Sequence, residues 1–411
     1  MIDIETAEST ILAHCPPARV VNRPLAESAG HILAEGVLAT SDVPPFDRAM
    51  MDGFAFHSGD AAQVPVRLPV FGCLPAGSSP DEVLPPGMAA KIMTGAPLPA
   101  RADAVQKKEL CRELSEDAVE ILEAVTPGQH VAAQGSELAR GTAVLEPGHL
   151  LGPAELGIMA TFGLEHVSVY ARPSLALVNT GSELVELHEP IAGGKIRNSN
   201  QYSITTFLRG HGFDCDARGI VPDEADEIRS AIEAVADRDV ILLTGGVSVG
   251  DYDLVQAVAR EAGFDILFDA VAIKPGKPLV FGRRGRTLLF GLSGNPVSSL
   301  VQAARFLLPA LRKLSGWTEP RTVFHTATLT EKIHHRADRT SCRPCRVFER
   351  DGRLHCQPLP DKGSADLFAW RQANALYVLP ASRPEMHAGE RIQVIPMGFG
   401  AFPALSSGSL I

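Results

Sequence analysis

From residue 174 to residue 314 one pattern recurs: a run of branched or aromatic residues, a glycine-bearing turn, then an amphipathic stretch. The runs are "SLALVNTG" (174–181), "DVILLTGG" (239–246) and "TLLFGLSGNP" (287–296). The stretches include "NQYSITTFLRGHG" (200–212), "DEADEIRSAIEAVAD" (223–237), "DLVQAVAREAG" (253–263) and "VSSLVQAARFLLPALRKL" (297–314). In 223–237, Ala225, Ile228, Ile232 and Val235 fall on one helical face. Strands that are apolar on both sides need cover on both faces, so the alternation predicts a parallel sheet flanked by helices. Ligands of such a sheet sit outside the carboxyl ends of its strands.

The flanks read differently. Residues 1–40 read as mostly helical, with apolar positions at Ile4, Ile11, Leu12, Leu25, Ile32 and Leu33. From 41 to about 140, "VPVRLPVFGCLPAG", "AAKIMTG" and "AVEILEAV" predict short strands among Pro and Gly, a small β-rich domain. "GPAELGIMATFG" (152–163) predicts a helix, and from about 321 strands return. There "RVFERDGRLHC" predicts a hairpin turning at Asp351-Gly352 in a type I′ turn.

Composition narrows the function. A chain of 411 residues suggests two to four domains. The N-terminus "MIDIETAEST" is acidic and polar, unlike a signal peptide, and no apolar run reaches the ~18 residues of a membrane span. Seven scattered cysteines argue against a secreted disulfide framework, so the expected location is the cytoplasm. A net charge of −10 without basic runs speaks against nucleic acid. An anionic ligand must then be held by local features.

Four loops lie at or beside predicted strand ends: "NTGSELVE" (179–186), "TGGVSVGDYD" (244–253), "KPGKP" (274–278) and "GLSGNPVSS" (291–299). In the last, Asn295 suits a helix N-cap and Pro296 a first turn, which would offer free N–H groups to a phosphate. The plain alternative is a well-made turn with no ligand. Asp251 and Asp253, with Glu183 and Asp223, could hold a hard cation; Asp223 could instead cap the helix after "IVP". Lys274 and Lys277 flank a Pro-Gly turn stiffened by Pro275 and Pro278, which would preorganise two ammoniums for an anion; otherwise they are solvated charges. Cys342, Cys345, His355 and Cys356 have zinc-like spacing, but a strand hairpin with Pro344 inside it is a poor setting for a zinc site.

Seven motifs stand in one order: "PPFDRAMMDGFA", "IMTGAPLPARADAV", "VNTGSELVE", "NSN", "LLTGGVSVGDYD", "IKPGKPLVFG" and "GLSGNPVSS". Together, with "KGSADLFAWRQANALYVLP" (362–380), they resemble the molybdopterin molybdenumtransferase family of MoeA proteins and gephyrin E domains. The resemblance implies a multidomain α/β plus β fold. Residues 1–40 and 141–172 would form a mostly helical N-terminal domain, 41–140 a β-rich inserted domain, 173–320 a MogA-like α/β molybdopterin-binding domain and 321–411 a small β-barrel. It implies insertion of molybdate into adenylylated molybdopterin with release of AMP, Mg²⁺ as cofactor and a homodimer with its active site between subunits. A MogA-type adenylyltransferase would be the upstream partner, and molybdoenzymes or their chaperones the recipients.

Carried over by motif, Asp52, Thr94, Glu183, Asp223, Asp253, Lys274 and Lys277 would be catalytic, with Glu183, Asp223 and Asp253 associated with the metal. Gly245, Gly246, Ser248, Gly250, Gly294, Asn295, Ser298 and Ser364 would bind the pterin substrate. An arginine of the last domain should reach molybdate; Arg339, Arg343 and Arg346 compete. Ala49, Met50, Arg101, Ser182 and Ser293 depart from the family's usual residues, which keeps open an alternative: a non-catalytic or divergent paralogue that scaffolds or delivers cofactor. The small adenylyltransferase itself lacks counterparts of the "MTGAP" and C-terminal segments.

Overall fold

The computed structural model describes residues 1–79, 81–247, 254–334 and 338–398. The alternating segment forms strands β1 (Leu175–Thr180), β2 (Cys215–Val221), β3 (Val240–Thr244) and β4 (Asp265–Ala270). A short β5 (Ile273–Lys274) precedes β6 (Pro278–Arg284) and β7 (Thr287–Leu292). The order across the sheet is β2-β1-β3-β7-β6-β4. β1, β2, β3 and β7 are parallel, as the alternation predicts. β6 and β4 depart from that expectation, because β6 runs antiparallel to both its neighbours. Only Gly285 and Arg286 join β6 to β7, and a two-residue turn can join only antiparallel strands.

Consecutive strand residues serve opposite faces, which is why the runs are apolar throughout. Leu177, Leu242 and Phe290 pack on one side with Ile204 of α2 (Asn200–Gly210). Val178, Leu243 and Leu289 pack on the other with Ile228 and Ile232 of α3 (Ala225–Glu233) and Val255 of α4 (Leu254–Glu261). The long helix expected at 297–314 is interrupted. Between α5 (Pro296–Gln302) and α6 (Leu308–Leu314) lies a π turn over Ala303–Leu307. Pro309 has no N–H to donate one turn back, and the wider turn accommodates that loss.

In the first 40 residues the helix is confined to Ile4–His14. Leu25 falls in a 3₁₀ turn, and Leu33 bridges Val169 in extended conformation, contrary to the helical reading. Pro16, Pro17 and Pro24 bracket a Val20-Val21 pair, a context that favours extended chain. Ile4, Ala7 and Ile11 pack into the α/β core, and the buried Glu8 carboxylate meets Arg305 at 3.2 Å.

Beyond the sheet lie β8 (His325–Leu329), β9 (Thr340–Arg350), β10 (Arg353–Pro358), β11 (Ala375–Leu379) and β12 (Arg391–Pro396). Their order is β9-β10-β8-β12-β11, and β11 pairs back onto β9, closing a barrel. The β9–β10 hairpin turns at Asp351 and Gly352, both at positive φ, as its sequence predicts. β5 joins β9 in parallel, setting Lys274 opposite Ser341.

Apart from Pro24 and the 3₁₀ turn at Leu25, all of this belongs to one compact unit: Met1–Arg23, Gly30–Ala34 and Ser168–Ile411. The other, Pro24–Ala29 and Glu35–Val167, holds a six-stranded sheet. That sheet includes the expected strands Val66–Leu74, Ala89–Ile92 and Ala118–Ile121 around buried Phe54, Phe56 and Ile92. The helix expected from "GPAELGIMATFG" spans Pro153–Thr161. No helix among the described residues is long and apolar enough to cross a membrane.

Candidate active site

The parallel strands end on one edge of the sheet, and β6, running the other way, begins there. Reading across that edge, Asp223 follows β2, Ser182 and Glu183 follow β1, Gly245 and Gly246 follow β3, and Ser293 follows β7. Lys277 immediately precedes β6. At ~4.8 Å per strand spacing, the edge from Asp223 to Lys277 spans about 19 Å. A cleft of about 1490 Å³ runs along it, lined by Glu183 and Asp223, by both lysines, and by Arg339 and Arg343.

Backbone packing explains the glycines. Gly245, at φ +94, lies against the Thr180 carbonyl, where a Cβ would collide. A Cβ on Gly294 would stand 3.4 Å from the Gly245 Cα, so the two loops nearly touch. The Asn200 amide donates to the Gly294 carbonyl at 2.8 Å.

The acidic end is clamped loop to loop. The Ser182 N–H donates to the Asp223 carboxylate at 3.0 Å, and the Asp223 N–H donates to the Ser182 hydroxyl at 3.1 Å. Asp223 therefore does not cap the following helix; Glu224 holds that position. Its Oδ1 faces Gly246, and the Glu183 carboxylate folds back over Gly181. Glu183 and Asp223 offer the oxygen donors a hard cation takes, and a magnesium ion keeps much of its water, so two carboxylates fit it. Asp253, with Ser248 and Gly250, lies outside the described residues. Among the described residues, no three His, Cys, Asp or Glu are grouped to hold a metal. The cysteine set in particular diverges: Cys342 packs in the α/β core, and Cys345 and Cys356 inside the barrel.

The basic end is fixed from several sides. The Lys277 carbonyl accepts from the Val271 N–H at 2.9 Å, and the Ile273 carbonyl from Arg339 at 3.3 Å. Arg343 pairs with Asp361 at 2.8 Å. Burial works against the Arg343 charge, but Asp361 and Tyr377 outweigh it and raise its pKa. Burial in turn pushes Tyr377 up to about 12. Asp338 feels some desolvation, yet Arg339 and Lys274 hold its carboxyl below the ordinary value. Of the three competing arginines, Arg339 and Arg343 line the cleft; exposed Arg346 does not.

The expected phosphate cradle is narrower than its sequence suggests. Asn295 occupies the N-cap position, but its side chain makes no capping bond. Pro296 has no N–H, and the Val297 N–H donates to the Ser364 carbonyl at 3.1 Å. That bond brings Ser364 to the site; Ser298 is buried in the lining. Sequence reasoning missed Asp361 and Phe368, an 85% exposed aromatic on the cleft wall.

Asp52 and Thr94 belong to the other unit and meet each other there. The Asp52 carboxylate accepts from the Thr94 N–H at 2.8 Å and from its hydroxyl at 2.7 Å. These bonds, with the Lys108 charge, hold the Asp52 carboxyl below its ordinary pKa.

Three family descriptions match in succession: "MoeA N-terminal region (domain I and II)" over residues 2–163, "Probable molybdopterin binding domain" over 176–313 and "MoeA C-terminal region (domain IV)" over 326–397. A curated molybdopterin molybdenumtransferase of Haemophilus influenzae is 32% identical over 402 residues, covering 96% of this chain and 98% of the relative. The chain belongs to the molybdopterin molybdenumtransferase family. The family's Bacillus subtilis protein is 32% identical, over 90% of this chain and 88% of its own length. A solved molybdopterin biosynthesis MoeA protein from Pyrococcus horikoshii superposes at a TM-score of 0.79 with 28% identity, over 96% of this chain and all of the solved one. The cleft just described thus lies in the segments of the second and third matches.

Proposed function

We propose that this protein catalyses the metal-insertion step of molybdenum cofactor biosynthesis: it binds adenylylated molybdopterin, inserts molybdate at the dithiolene and releases AMP. The observation that carries this reading is one sheet-edge cleft that gathers Glu183 and Asp223, with Arg197, beside β1 and β2, and Lys274, Lys277, Arg339 and Arg343, with Asp361, beside β6 and the barrel. An elongated substrate with a phosphoanhydride in its middle suits a groove of about 19 Å.

Molybdate is a compact dianion that gains most from donors fixed before it arrives. The lysines and arginines would hold it and orient it toward the dithiolene. Gly245, Gly246 and Gly294 let backbone approach the phosphates closely. Glu183 and Asp223, with Asp253 as the expected third ligand, would hold Mg²⁺, which when bound neutralises charge on the phosphoanhydride. The Ser182–Asp223 clamp keeps the carboxylate aimed at Gly246. Ser182, one of the departures from the usual motif, supports the site here, which favours the enzyme over a non-catalytic scaffold.

Asp52 and Thr94 form a polar pair beside exposed Met50 and Met51, which supports a homodimer whose subunits lend this loop to each other's cleft. The domain division at 40, 140, 172 and 320, a MogA-type adenylyltransferase as supplier, molybdoenzymes as recipients and a cytoplasmic location complete the proposal. The test is AMP release from adenylylated molybdopterin with and without molybdate. Release that requires molybdate supports the reading; no release, or release indifferent to molybdate, refutes it.

A further inference from the structure

One buried side chain is shared by the two loops that the proposed chemistry must keep in register. Gln302, the last residue of α5, is fully buried. Its Nε2 donates to the Gly276 carbonyl at 2.9 Å and to the Pro278 carbonyl at 2.6 Å. Its Oε1 accepts the Ser293 N–H at 2.8 Å. Two carbonyls on one side and one N–H on the other permit only one orientation of the amide. Buried amides are costly unless bonded, so nothing in apolar packing alone explains a glutamine here.

The lysine turn needs such a partner. Pro275 and Pro278 contribute no N–H, so the turn has few donors with which to satisfy its own carbonyls. Gly276 sits at φ +97, and a Cβ there would crowd the Gln302 side chain at 3.1–3.3 Å. The space beneath the turn is thus shaped for this glutamine. On the other side, the Ser293 N–H donates to Gln302 Oε1. The π turn begins at the next residue, Ala303.

We propose that Gln302 is a positioning residue that sets the height of the Lys274–Lys277 turn relative to the 293–295 loop, and thereby the affinity for the oxyanion. The inference rests on the proposed molybdate-inserting activity. Gln302→Met keeps length and removes all three bonds. Gln302→Glu keeps the acceptor for Ser293 but turns an oxygen toward two carbonyls.

The experiment titrates molybdate in the AMP-release assay with full-length protein, and measures adenylylated molybdopterin affinity by equilibrium dialysis. Half-saturating molybdate should rise about tenfold in Gln302→Met and further in Gln302→Glu, while pterin affinity and the plateau rate stay within about threefold of wild type. A merely structural role would lower thermal stability and leave half-saturating molybdate unchanged, and that result would overturn the inference. Should both variants fail to fold, Ser293→Pro, which deletes the N–H on Oε1 together with the hydroxyl that accepts the Asn295 N–H, is compared with Ser293→Ala, which deletes the hydroxyl alone. Half-saturating molybdate should be about threefold higher in the proline variant, and no difference between the two would overturn the inference. If wild type itself shows no molybdate-dependent release, the proposed function fails, a result distinct from any of these.

Discussion

At one end of the cleft, Lys274 and Lys277 stand on a turn whose carbonyls are tied to Gln302, Val271 and Arg339, and whose strand is paired to the barrel at Ser341. At the other end, Glu183 and Asp223 stand on loops joined to each other by the Ser182–Asp223 pair of hydrogen bonds. The first arrangement holds the backbone that carries two exposed lysines three residues apart. The second fixes the Asp223 carboxylate through the Ser182 N–H, while no hydrogen bond among the described residues ties the Glu183 carboxylate. At the basic end the backbone of the turn is what is held and the ammoniums reach outward; at the acidic end the Asp223 carboxylate itself is held.

If the ends differ in this way, variants at each should move different parameters. The largest effect is expected from Asp223→Asn, which should lower the plateau rate of AMP release by about 100-fold, with half-saturating molybdate little changed. Next, Lys274→Ala and Lys277→Ala should each raise half-saturating molybdate about tenfold, some 1.4 kcal/mol. Lys277→Arg should recover only part of that, because a planar fork does not reproduce a compact ammonium. Removing the hydroxyl in Ser182→Ala leaves the Asp223 N–H without its acceptor and should lower the plateau about threefold, again without moving the molybdate dependence.

The smallest effect, in the other unit, serves as a control. Arg101 is exposed at φ +80, a conformation glycine adopts at less cost. Arg101→Gly should stabilise the protein by about 1 kcal/mol, a rise of roughly 1 °C in Tm for a chain of this length by scanning calorimetry, and leave both kinetic parameters alone. A shift in either would tie that turn to the site.

The sheet edge was readable from sequence because a strand buried on both faces and ending in glycine has few other solutions. The same logic placed Lys277 there, since the turn is flanked by apolar runs. The reversal of β6 was marked by Gly285 but masked by the surrounding alternation. The Ser182–Asp223 clamp joins residues 41 positions apart, and no local pattern announces such a pair. Gln302 left a faint signal, a lone amide in the apolar run "SSLVQAARFLL", though its three partners could be known only once the fold was formed. The arginines needed β9 in register, since Arg343 and Arg346 are an odd number of residues apart within it and face opposite sides, while Arg339 lies just before it and bonds the Ile273 carbonyl. Helical texture misled at 20–33, where prolines outweighed the apolar spacing.

The most direct test of the divided cleft is a single molybdate titration of AMP release in wild type, Lys277→Ala and Asp223→Asn. Lys277→Ala should shift the half-saturating concentration and approach the wild-type plateau, while Asp223→Asn should keep the half-saturating concentration and lose the plateau. Two variants that move the same parameter together would contradict the division of the cleft into an anion-fixing end and a charge-neutralising end.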